Sequence, residues 1–385
     1  MKPLTKLFLI FFIGILIILV LYANLSDILN FFQPENLANV TLTPMRESNG
    51  TIKRVGGMLT KTLILPPDLE ISVFAENLGK VRFLEKDGVG NIYATIPEQG
   101  KIVKFLDNNS DDKTDGTIVI ADNLFYPHGF QFYNNELYIA VQDGIIRAQD
   151  NDSDGFYETK QQIVKDIPVG GNHITRSLRI LNDKIYLSVG SSCNICLDEE
   201  KRAVILVYNL DGSHEEVCAR GLRNSVGMIF VNNQLWATGM GADLLGEDFP
   251  PDEINLVECG NDYGWPECHG DNVEDPTYGT GRCSEKVKPS IALQAHSAPL
   301  GLRVAENFPY EGLFVAYHGS WNRKVPTGYK VVRITNFASQ PVVEDFIIGW
   351  LDGQWGRPVD ILFNNGKMYI SDDKNGIVYV VNVSI

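Results

Sequence analysis

The chain has 385 residues, with 33 Lys and Arg against 48 Asp and Glu and a formal net charge of -15. With 44% hydrophobic and 21% charged residues it can bury a large core, which excludes a mainly disordered chain. An acidic chain without a basic block is a poor match to nucleic acid, because that affinity rests on neutralising phosphates. Its 35 Gly, 18 Pro, 19 Phe and 15 Tyr favour short strands joined by turns over helices. Length alone suggests two or three domains at ~150 residues each.

The first element is an uninterrupted apolar run from Leu7 to Ala23, preceded by Lys2 and Lys6. Spanning helices need ~20 apolar residues, whereas signal-peptide cores have about 7–15. No small-x-small cleavage pattern follows, so the run is read as an uncleaved anchor in preference to a cleaved signal. Either way the flanking lysines keep the start inside and export the rest. Residues 24–65 have little periodicity and are expected to form a tether. Asn39, Asn49, Asn108, Asn151 and Asn382 each begin an N-x-Ser/Thr triplet, which is compatible with an exported surface.

From about residue 70 one phrase recurs: a strand, a turn of Asn, Asp and Gly, then a second strand led by an aromatic or apolar residue. The leading residues of the second strands are Tyr93, Tyr138, Tyr186, Trp236, Phe314 and Tyr369. A period near 40–50 residues, with one long insertion between Trp236 and Phe314, predicts propeller blades and not independent domains. The fold class is therefore all-β, a six-bladed β-propeller over residues 66–385, with an N-terminal anchor or signal helix at 1–23. The early strand LEISVFAENL is expected to join the blade ending in IVYVVNVSI, closing the ring without a free edge.

All six cysteines, Cys193, Cys196, Cys218, Cys259, Cys268 and Cys283, fall in one stretch. In an exported chain an even number points to disulfides that pin loops, and the connectivity stays open. Two acidic loops have the look of calcium loops. Asp150 to Gly155 opens like an EF-hand, but its twelfth position is Gln161, and Asp107 to Asp111 is looser. Both read more readily as polar hairpin tips.

No G-x-S-x-G, H-E-x-x-H or phosphate loop is present. The chemistry-bearing residues lie between hairpins, in NHITR (from Asn172), RGLRN (from Arg220), Gly239 to Pro266, HSAPLG (from His296), HGSWNR (from His318) and GRPVD (from Gly356). Most place His or Arg beside an inner strand, where propeller loops face the central channel. Converging guanidinium groups suit a ligand with several carboxylates, and a neutral histidine among them can accept a proton. Any one of these residues alone is more often a structural hydrogen-bonding partner.

In their order, NHITRSLRI, SVGSSCNIC, ARGLRNSVGM, GMGADLLGEDFPPDEINLVECGNDYGWP, HSAPLGL, YHGSWNR and GRPVDI resemble the glucose/sorbosone dehydrogenase family. Its members are six-bladed propeller quinoproteins that use pyrroloquinoline quinone (PQQ) and calcium, and the likeness covers roughly residues 68–383. The resemblance implies His173 as the catalytic base, taking a proton from the sugar's anomeric hydroxyl while hydride moves to the quinone. It implies Arg223 as the group that stabilises negative charge on the quinone oxygen, with Asn224 beside it. Arg357 matches an arginine that pairs with cofactor carboxylates. Arg323 would replace an unmatched lysine, and Arg176 and His128 are also assigned to the cofactor. The backbone at Gly241 and Ala242 matches the calcium-holding turn.

Two departures stand out. Trp355 occupies the place of a second arginine, and Ser191 to Asn194 lacks the carboxylate expected to steady the histidine. The implied function is oxidation of an aldose or similar polyol outside the cytoplasmic membrane. Electrons would pass to an external acceptor, and the N-terminal segment would hold the protein at the membrane. The alternatives are a calcium-dependent lactonase, which needs carboxylates converging on one metal, and a non-catalytic propeller that binds a protein or glycan.

Overall fold

The computed structural model describes residues 48–53 and 60–384. The expected anchor at 1–23 lies outside them. Among the described residues no helix is long and apolar enough to cross a membrane.

Six antiparallel sheets follow in chain order, each built around a predicted hairpin. Blade one runs from Leu84 to Ala121, blade two from Phe130 to Val164, and blade three from Arg176 to Arg220. Blade four runs from Met228 to Leu293, blade five from Pro299 to Ile347, and blade six begins at Pro358. The first strand of each blade is innermost, and neighbouring inner strands pack around the axis. Blade six takes its fourth strand from Leu69–Ala75, in register from Val383↔Leu69 to Val378↔Ala75. The two ends of the domain thus close the ring as expected, leaving no open edge between its last blade and its first.

The hairpin turns use the conformation their residues favour. Asn134, Asn135, Asn182, Asp183, Asn232 and Asn233 all have positive φ, the left-handed pairs of type I′ turns. Strand burial departs from a simple in–out alternation. Glu136–Val141, Gln234–Gly239 and Lys367–Asp372 are buried at nearly every position. The cause is that both faces of each sheet meet another blade. One apolar cluster joins blades one and two around Phe130 and Leu137, and another joins two and three around Ile145 and Leu187. The remaining four interfaces are filled in the same way. Each blade lacks a solvated face, so its burial depends on its neighbours.

The domain boundary needs correction. Residues 60–65, expected within the tether, form a strand that pairs with Ser48–Lys53. Leu63 and Leu65 are buried in the cluster between blades five and six, and Ile64 exchanges two backbone hydrogen bonds with Ile348. The short apolar phrase LILP carries this signal, but it has no repeat partner in the sequence.

The long insertion lies between the third and fourth strands of blade four. Asn261–Asp262 adds a parallel fifth strand to blade three, and a small hairpin pairs Cys268–His269 with Val273–Glu274. The disulfides pair Cys218 with Cys259, Cys268 with Cys283, and Cys193 with Cys196. Two of them fasten this insertion to blade three and to itself.

Candidate active site

Loops that lead into the inner strands, with those that follow the second strands of blades four and five, line a cavity of ≈ 250 Å³ on one end of the ring. Its wall includes His173, Arg223, Asn224, Gly241, His318 and Arg357. These six were singled out in the sequence, and the ring brings them together from blades three to six.

His173 precedes the inner strand of blade three. Its Nδ1 lies 3.0 Å from the Ser191 carbonyl and 2.9 Å from Ser191 Oγ. A carbonyl can only accept, so Nδ1 carries the proton and Nε2 keeps its lone pair. Ser191 Oγ in turn donates to Cys193 O at 2.8 Å. Burial and the nearby Arg223 guanidinium lower the His173 pKa to about 3, although the hydrogen bond to Ser191 acts the other way. The ring is neutral over the physiological range. Gly190 lets it sit there, because a Cβ at that position would meet His173 Cβ and Asn224 Oδ1, each at 2.6 Å.

Arg223 is nearly buried and fully engaged. Its Nε donates to Asn194 O at 2.9 Å, Nη2 to Asn194 Oδ1 at 2.8 Å, and Nη1 to Gly241 O at 2.9 Å. Nη2 also lies 3.2 Å from Asp243 Oδ2. Asp252, beneath Gly241, accepts the Gly241 and Ala298 N–H groups at 2.9 and 2.8 Å. Burial raises its pKa to about 7 against the pull of those N–H groups and Arg223. Opposite stand Arg357, whose Nε and Nη2 donate to the carbonyls of His318 and Gly319, and Arg82. Arg82 is ion-paired with Asp373, which also accepts His318 Nε2 at 2.9 Å. Burial opposes ionisation of Asp373, but His318 and Arg82 outweigh it and hold the carboxyl well below its usual range. Burial lowers the His318 pKa despite that partner. His296 and Ala298, at φ of 61° and 54°, hold left-handed backbone that non-glycine residues rarely adopt, and both line the cavity.

Four assigned residues stand elsewhere. Arg176 is fully buried and donates to the carbonyls of His173, Thr175 and Pro168, so it supports the His173 loop from behind and touches no channel ligand. Arg323 is spent on Val325 O, Ala295 O and Asp248. His128 lines a separate void of ≈ 10 Å³ nearer the axis, with Phe83, Arg179 and Asp360. Ala242 is buried and faces a recess behind the cavity with Trp265 and His269, so of the proposed calcium turn only Gly241 reaches the cavity. Trp355, in place of the second arginine, packs against Trp350 and donates to Gly349 O.

Sequence reasoning missed Arg82, Asp243 and Asp373. Arg82 obeys the rule that found the others, a basic residue just ahead of an inner strand, but its phrase VRFLE matches no quoted motif. The Asp150 loop does gather Asp150, Asp152 and Glu158, with oxygen atoms within 4.8 Å of one another, so the third carboxylate is Glu158 and not position twelve. Its carboxylates mostly cap backbone N–H groups of Ser153, Gly155 and Phe156, as in a polar hairpin tip.

The cavity's donors suit an anion and a hard cation together. Arg82 Nε, His296 Nδ1 and Asn322 Oδ1 are buried without a hydrogen-bond partner, and all belong to lining residues. Arg82 and Arg357 supply guanidinium groups to the lining, while Gly241 O, Asp243 and Asn322 Oδ1 supply oxygen, the first two of them in contact with Arg223. Hard cations take such oxygen ligands.

A family model described as TrAA12-like matches residues 63–384. A Borreliella burgdorferi protein named only as uncharacterized is 33% identical over 353 residues, 84% of this chain and 91% of that one. A pyrroloquinoline quinone-dependent pyranose dehydrogenase of Coprinopsis cinerea is 24% identical, covering 78% of this chain but only 52% of the enzyme, so the likeness spans about half of its length. The calcium structure of the Trichoderma reesei family AA12 enzyme superposes with a TM-score of 0.74 at 19% identity, over 84% of this chain and 97% of that one. With the propeller ring, the loops that converge on its cavity and a match over nearly all of the described residues, the chain belongs to the TrAA12-like family.

Proposed function

We propose that the protein is a PQQ- and calcium-dependent oxidoreductase that oxidises an aldose or related sugar at a CH–OH group. The observation that carries this reading is the cavity itself, which is lined by Arg82, Arg223 and Arg357 together with a neutral histidine whose Nε2 is free. The names of the Coprinopsis and Trichoderma relatives supply the quinone, the sugar and the calcium. When bound, PQQ supplies a two-electron acceptor for hydride, and calcium polarises it.

This chain's residues do the rest. Arg357 and Arg82 would hold carboxylates of the ligand, and Gly241 O and Asp243, both already in contact with Arg223, would offer oxygen to the cation. Arg223 faces developing negative charge with a guanidinium already fixed by Asn194. His173 Nε2 accepts the substrate hydroxyl proton, and Nδ1–H stays on Ser191. A second reading of the base has one observation in its favour. His318, not His173, has a carboxylate partner that would stabilise its imidazolium. A lactonase is disfavoured because, of the two carboxylates that line the cavity, both oxygens of Asp252 are taken by backbone N–H groups, which leaves Asp243 without the converging carboxylates a single central metal needs.

We place the domain outside the cytoplasm, since three disulfides suit an oxidising compartment. The apolar N-terminal run would anchor it to the membrane, and electrons would leave to an external acceptor. The test is to incubate the full chain with PQQ and calcium and supply aldoses with an artificial dye. Quinone absorbance should survive desalting and the dye should be reduced. Loss of the absorbance would overturn the reading, and lactone hydrolysis without PQQ would favour the hydrolase.

A further inference from the structure

The disulfide Cys193–Cys196 closes a ring over a sequence separation of 3, against 41 and 15 for the other two. Chain-entropy stabilisation grows with the loop closed, so this bridge gives the fold the least. Both of its cysteines are half-exposed, whereas Cys268 and Cys283 are buried and the third bridge joins a buried Cys218 to an exposed Cys259.

What the ring holds is Asn194. Its main-chain carbonyl accepts Arg223 Nε at 2.9 Å and Trp265 Nε1 at 3.2 Å. Its Oδ1 accepts Arg223 Nη2 at 2.8 Å and the Asp243 N–H at 2.7 Å, while its Nδ2 donates to Asp243 O at 2.8 Å. One residue therefore grips one edge of the Arg223 guanidinium through two nitrogens, both main-chain groups of Asp243 and the insertion within blade four. The shoulders of the ring are also committed. On one side Ser191 carries His173, and on the other Asp198 accepts Ser192 N and Oγ at 2.6 and 2.8 Å.

We propose that Asn194 is a positioning residue for the site and that the Cys193–Cys196 bridge is the clamp that keeps it in place. With the ring closed, Arg223 and Asp243 are presented to the cavity. A dithiol reductant opens it by exchange: the S–S bond takes up two electrons and two protons to give two thiols, and the dithiol becomes its own disulfide. The blades stay folded, but Asn194 is released and the presentation of both side chains is lost. The link to catalysis rests on the quinone reading above, whereas the positioning itself does not.

Two measurements separate these. The first is amide hydrogen exchange of the full chain without cofactor. Asn194→Ala and the double variant Cys193→Ser/Cys196→Ser should exchange the Asp243 N–H at least about tenfold faster, with blade-core amides unchanged. Unchanged protection at Asp243 overturns the proposal. The second is titration with PQQ and calcium, read by quinone absorbance beside the melting temperature. Both variants should bind at least about tenfold more weakly at a near-native melting temperature. Asn194→Asp, which keeps the oxygen acceptors for Arg223 and Asp243, should recover part of the loss. Wild-type affinity in Asn194→Ala, or a collapse in melting temperature with no recovery in Asn194→Asp, sinks the proposal. If wild type retains no quinone while Asp243 exchange still responds, the clamp stands and the quinone reading falls.

Discussion

The two walls of the cavity are wired differently. On the side of blades three and four, His173 is held only by the neutral Ser191, and Arg223 by Asn194 inside a disulfide ring with Asp243 as its one ion-pair partner. Across the cavity, His318 and Arg82 are held by the charge of Asp373. Ser191 fixes the direction of His173 without supplying negative charge, so with burial and the nearby Arg223 guanidinium the ring keeps a lone pair and a strongly lowered pKa. The charged wall ties His318 Nε2 to a carboxylate and balances an arginine that would otherwise be buried alone. A histidine held by neutral partners is a weak base ready at any ordinary pH, while one held by a carboxylate is stabilised once protonated.

The largest effect expected from breaking this contrast is on turnover. His173→Ala should lower kcat by about 10²–10⁴-fold with quinone absorbance retained. If His318→Ala gives that loss instead, the base is on the charged wall. Asp373→Asn comes next. It leaves Arg82 without its counter-ion and should lower stability by up to about 3 kcal/mol in urea unfolding, discounted because the pair keeps some solvent contact. An unchanged midpoint would make that wall's ion pair incidental.

The pH response follows in size. His173 has a lowered folded pKa, so its neutral form contributes stability fully present above the ordinary histidine value of ~6.5. That contribution is lost as pH falls toward the folded value of about 3. If His173 is the base, the acid limb of kcat/KM should lie well below pH 6.5. An acid limb near 6.5 would contradict the assignment. The smallest effect is that of Ser191→Ala. The Ser191 carbonyl still holds Nδ1, and loss of one neutral hydrogen bond predicts a drop of about two- to tenfold in kcat. A loss as large as that of His173→Ala would mean that the hydroxyl alone sets the ring's direction.

How far the site was legible depended on what each residue type can reveal. His173, Arg223, Asn224 and Arg357 stand in loops with recognisable neighbours and line one cavity. Arg176 and Arg323 stand in similar loops but bond to protein groups and stay out of the lining; an arginine carries no sequence mark of which carbonyls it will meet. Arg82 and Asp373 are more than 290 positions apart and pair only because the ring closes blade six beside blade one. The carboxylate missing from Ser191–Asn194 was correctly noted, but its appearance beside His318 could not be read from local spacing.

The amino-acid order by itself determined the blades. Each hairpin is local, its turn chemistry and strand pairing lie within about 15 residues, and repetition of the phrase implies the ring. It also determined that the ends must meet, since the last hairpin lacked a fourth strand and the first strand lacked a hairpin. Only the tertiary structure decided which basic groups face the cavity, which support it from behind, and that the smallest disulfide ring grips Arg223. Those choices depend on distances between residues from different blades, and burial and charge act through space, with no regard to chain order.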